Sequence, residues 1–91
     1  MALVKNVEKR IKEVEGFDVR IRHSNGRDMR GDKTNLPMWP YDTKARRKFT
    51  VQDWKNIRFR RTYPTLRVKV LDPNGKSVNG KTLLWNLRSL Y

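Results

Sequence analysis

Between residues 43 and 69 the chain carries ten Lys or Arg side chains and a single acid, Asp53. That block holds +9 of a net charge of +13 in under a third of a 91-residue chain. Self-repulsion on this scale disfavours a compact state. Any fold must therefore keep most of the block's charged side chains at the surface and still bury enough apolar area. High charge with little apolar content is also the signature of disorder. Three Trp, three Tyr and three Phe, together with clear apolar periodicity, argue instead for a core. The length fits one domain over residues 1–91. The other segments are nearly balanced, at +1 for residues 1–16, +1 for 17–42 and +2 for 70–91. Clustering of one sign is an electrostatic footprint rather than generic solubility.

Leu3, Val4, Val7, Ile11 and Val14 recur at helical spacing and predict a helix over 2–15 with one buried stripe. Glu8 and Lys12 form an i, i+4 pair on its wet side. Gly16 suits the position that ends it. Residues 17–23 then alternate: Phe17, Val19, Ile21 and His23 face one way, Asp18, Arg20 and Arg22 the other. Asn25-Gly26 signals a tight turn. A simple hairpin would put Met29 on the polar face, so a turn leading into a loop fits better. Residues 24–42 read as one long irregular loop, in which Pro37 and Pro40 bracket Met38 and Trp39. Trp39 and Tyr41 are expected to pack on the core; exposed, they would offer stacking surfaces for bases.

Thr50 and Asp53 have the spacing of a capping box, and Phe49 and Trp54 that of a hydrophobic staple. Both place a helix start at Val51, and the helix is expected to stop before Tyr63-Pro64. With Val51 at zero, Trp54 falls at about 300° and Ile57 at about 240°, an expected core side. Residues 65–71 alternate again, with Leu66, Val68 and Val70 inward and Arg67 and Lys69 outward. Asp72-Pro73-Asn74-Gly75 is a turn, with Gly where positive φ is cheap. Residues 76–78 are expected to pair back. Leu83, Leu84, Leu87 and Leu90 mark a short C-terminal helix whose apolar face excludes Trp85. The order predicted is helix, strand, long loop, helix, strand, strand, helix. This is an α+β domain with helices packed on one face of a small antiparallel sheet.

The candidate anion-binding residues are Arg20, Arg22, Arg67 and Lys69 on the outward sheet face, Lys44, Arg46, Arg47 and Lys48 before the helix, and Lys55, Arg58, Arg60 and Arg61 on it. Arg dominates, and its planar fork grips phosphate in bidentate fashion. The helix carries no single basic stripe, so it reads as a core element with phosphate-contacting side chains rather than a base-reading helix. The expected function is nucleic-acid binding, to DNA or RNA, in an accessory rather than a catalytic role. The alternative is a module that docks an acidic protein surface. A free sheet edge would also let two copies pair.

No phosphate loop, HExxH pattern or nucleophile–base arrangement occurs, so no enzyme, metal or cofactor is expected. His23 is placed in the core or at a sheet edge. The chain has no cysteine, no apolar run of bilayer length and no signal-peptide core. A cytoplasmic location follows as the expectation.

Overall fold

The computed structural model describes residues 2–25, 27 and 36–91. Helix α1 (Val4–Glu15) buries Val4, Val7 and Ile11, and closes on Gly16 at φ 87°, whose N–H donates to Lys12 O. Only glycine adopts that left-handed geometry without cost. Strand β1 (Asp18–Arg22) follows directly and pairs antiparallel with β2 (Arg67–Leu71). The register sets Val19 opposite Val70 and Ile21 opposite Val68, so one face of this two-stranded sheet is apolar. The expected alternation is observed in β1, where Val19 and Ile21 are buried and Arg20 is exposed; in β2 only Val70 is buried, and Val68 and Lys69 are both half-buried. The molecule is α+β.

The central helix begins at Val51, with the capping box complete. Thr50 Oγ1 accepts from Asp53 N, and Asp53 Oδ2 accepts from Thr50 N, each at 3.1 Å. The N–H groups of Val51 and Gln52 donate to the carbonyls of Thr82 and Gly80. The first turn, which has no intrahelical acceptors of its own, is thus satisfied by the C-terminal segment. The helix runs through α2 (Val51–Trp54), a π-helical turn (Lys55–Phe59) and α3 (Arg60–Thr62).

The π turn corrects the expected core side. Ile57 is 44% exposed, whereas Phe59 and Tyr63 are buried. One extra residue in the turn, marked by Arg60 N–H donating to Lys55 O, retards the wheel by about 100°. Phe59 and Tyr63 then rotate onto the side already held by Val51 and Trp54. They meet Trp39, which comes from the preceding loop and is 2% exposed. Its ring lies 5.6 Å from Trp54, 6.3 Å from Phe59 and 6.2 Å from Tyr63. Phe17 meets Trp54 edge-on at 5.1 Å. These rings form the centre of the core.

The Tyr63 hydroxyl donates to Pro37 O at 2.6 Å, tying the loop to the helix end. Burial pushes this phenol up to about 12. In the unfolded chain it titrates near 10. The protonated form is favoured by folding, so the contribution is full below about pH 10 and lost as pH rises through about 12. Alkaline unfolding followed by circular dichroism should therefore be flatter between those values for Tyr63→Phe than for the wild type. Equal slopes would mean that another group controls alkaline stability.

The turn after β2 has Gly75 at φ 81°, and Asp72 Oδ1 accepts from Asn74 N and Lys76 N. The chain returns along β2 through a Leu71–Ser77 bridge and a Val78 N–H to Val70 O bond. On the other side of the sheet, Ile21 N–H donates to Glu8 Oε2 at 2.8 Å. Each edge of the sheet is thus partly engaged within the chain, β1 at Ile21 and β2 at Val70 and Leu71. The last helix, α4 (Leu84–Ser89), is shorter than the leucine spacing predicts. Leu84 and Leu87 are buried, while Leu83 and Leu90 flank the helix and are exposed. Among the described residues no helix is long and apolar enough to cross a membrane.

Candidate functional site

Residues 44–47 run across the ends of α1 and α4, and their placement depends on one buried acid. Glu15 is completely buried. Its Oε1 accepts from Ala45 N at 2.8 Å and faces Arg88 Nη2 at 3.4 Å; its Oε2 accepts from Arg58 Nη1 at 2.6 Å. Arg88 also donates to Glu15 O at 2.6 Å and Ala45 O at 2.8 Å, and Arg58 to Thr43 O at 2.7 Å. The Arg58 guanidinium lies 4.3 Å from the centre of the Tyr41 ring. Burial lowers the Arg88 guanidinium, Glu15 opposes this and Arg58 adds to it.

This cluster fixes both polar groups of the Ala45 backbone. Ala45 is itself buried, and Lys44 and Arg46, on either side of it, project outward with Arg47. The opposite wall is α4, held by Leu84 N–H on Phe49 O at 2.8 Å and Trp85 N–H on Arg47 O at 3.2 Å. Between the two walls lies a groove of about 510 Å³ lined by Lys44, Arg46, Arg47, Trp85, Arg88 and Ser89. Trp85, Arg88 and Ser89 are spaced i, i+3, i+4 and so share one face of α4. Trp85 is 53% exposed, with the Arg47 guanidinium 4.7 Å from its ring centre.

A second set of cations gathers on the sheet. Arg20 lies opposite Lys69 and Arg22 opposite Arg67. Like charges facing each other across a strand pair destabilise it. Arg67 also lines a cleft of about 410 Å³ with Lys55 and Arg60. Burial pulls the Lys55 ammonium below its ordinary value. An anion in the cleft would favour its charged form.

The expected residues therefore separate. Lys44, Arg46 and Arg47 line the groove; Lys55, Arg60 and Arg67 line the cleft; Arg20, Arg22 and Lys69 lie on the sheet; Lys48 and Arg61 are exposed outside both hollows. Arg58 is turned inward, its side chain 14% exposed and paired with Glu15. Its position on the wheel next to Val51 already favours that side. Trp39 is in the core and offers no face for stacking, and Tyr41 is half-buried beneath Arg58. The packing expected for these two aromatics is what the structure shows.

Glu15 and Trp85 were not among the expected site residues. Glu15 had a signal: it stands four residues after Ile11 and so falls on the apolar stripe of α1. Trp85 had one as well, since it lies off the leucine face of the last helix. Among the described residues no group of acids and histidines could hold a metal ion. Compared with protein-family models, curated proteins and solved structures, the chain matches none.

Proposed function

We propose that this protein binds nucleic acid, DNA or RNA, chiefly through the phosphate backbone, as an accessory rather than a catalytic factor. The observation that carries the reading is a set of cations left without acids. Among the described residues Lys44, Arg46, Arg47, Lys48, Arg20 and Lys69 form no ion pair. Folding alone does not require such a surface, and the cross-strand pairing of Arg20 with Lys69 works against it. Phosphates would relieve that repulsion and release condensed counterions on binding. The Arg forks suit phosphate geometry. The absence of cysteine fits a cytoplasmic site of action. The test is charge reversal of the groove: Lys44→Glu, Arg46→Glu and Arg47→Glu together should abolish oligonucleotide binding while the domain stays folded. Unchanged affinity in that folded variant would take the groove out of the interface, and failure of the wild type to bind any oligonucleotide would remove the proposal.

A further inference from the structure

We infer that the groove between residues 44–47 and α4 seats one unpaired nucleotide, its base stacked on Trp85 and its phosphates on Lys44, Arg46 and Arg47. The inference rests on the nucleic-acid reading and narrows it to single-stranded segments. Three observations carry it. The Trp85 backbone is held by its own bond to Arg47 O and by the adjoining Leu84 bond, so the residue is fixed beside the 44–47 segment, and its indole is 53% exposed. It stands among three outward cations, in a groove within the roughly 300–1,000 Å³ range of small-ligand sites. Its only ring partner among the described residues is the Arg47 guanidinium, and an exposed cation–π contact is weaker than a base stacked on an aromatic ring. A base can thus take the place of Arg47, which swings to the phosphate. A duplex keeps its base faces stacked inside and cannot use Trp85 in this way. Alternating phosphate grip and aromatic platform is the usual construction of single-strand grooves.

The test compares wild type, Trp85→Ala and Trp85→Phe by fluorescence anisotropy, with an oligothymidylate and with a duplex of equal length. Melting curves would confirm that each variant is folded. Trp85→Ala should weaken oligothymidylate binding roughly 10- to 100-fold and change duplex binding by no more than about twofold. Trp85→Phe should recover most of the loss. Equal losses on both nucleic acids would mean that Trp85 only props Arg47, and would overturn the inference. So would an unchanged Trp85→Ala variant; if wild type still bound steeply with salt, the phosphate reading would survive alone. Failure of the wild type to bind either nucleic acid would remove both. Full competition by polyglutamate at equal charge would point to an acidic peptide and also overturn the stacked base.

Discussion

Replacing Glu15 by Gln should destabilise the fold by about 3–5 kcal/mol, the usual cost of removing one partner from a buried ion pair. Two guanidinium groups, Arg58 and Arg88, face this carboxylate, and the Ala45 amide donates to it. Neutralising it leaves two cations beside each other with no negative charge to offset them. A domain of this size has a total stability of about 5–15 kcal/mol. The melting temperature should fall by roughly 15–30 °C. The control is Glu13→Gln, since Glu13 meets Arg10 at 4.0 Å on the exposed side of the same helix and should cost little. Thermal melts by circular dichroism measure both. A Glu15→Gln melt matching that of Glu13→Gln would show that the carboxylate does not organise the junction of α1, α4 and the 44–47 segment.

The second large effect is on binding. Reversing Lys44, Arg46 and Arg47 to Glu removes three phosphate contacts and places three repulsive charges in the groove. Counterion release contributes about 0.7–0.9 logarithmic units per contact for each tenfold change in salt. At 0.1 M salt the loss should be roughly 100- to 500-fold from release alone, and greater with the added repulsion. The dependence of affinity on salt should also become shallower by about two to three units. Arg58 is deliberately left out of this set. Reversing it would put a carboxylate against Glu15, and lost binding would then report lost structure. Loss of the melting transition in the triple variant would be a failure of folding. A folded variant that binds as wild type would mean the groove is not the interface.

The features legible from the sequence were those governed by local rules. Thr50 and Asp53 announce their capping box by spacing alone. Residues 17–23 and 65–71 disclose their inner faces by alternation, and the antiparallel register joins Val19 to Val70 as that alternation requires. What escaped depends on contacts distant in the chain. The π turn cannot be read from a period of 3.6, so Ile57 stood in for Phe59 on the expected core side. Glu15 and Arg88 are 73 residues apart, and nothing local announces their pairing. For the same reason Arg58 read as one more surface cation. The groove beside Trp85 is not legible locally, because it forms only where the 44–47 segment docks, and Glu15 holds the Ala45 amide of that segment.

The most direct test of the central claim is a fluorescence-anisotropy titration of the unmodified protein with single-stranded DNA, duplex DNA and duplex RNA across a salt series. If about six to eight phosphates are neutralised, the logarithm of affinity should fall against the logarithm of salt with a slope of about −4 to −7, and the single strand should bind most tightly. Binding that is absent at low salt, or that does not respond to salt, would contradict the account and turn attention to an acidic protein as the partner of this surface.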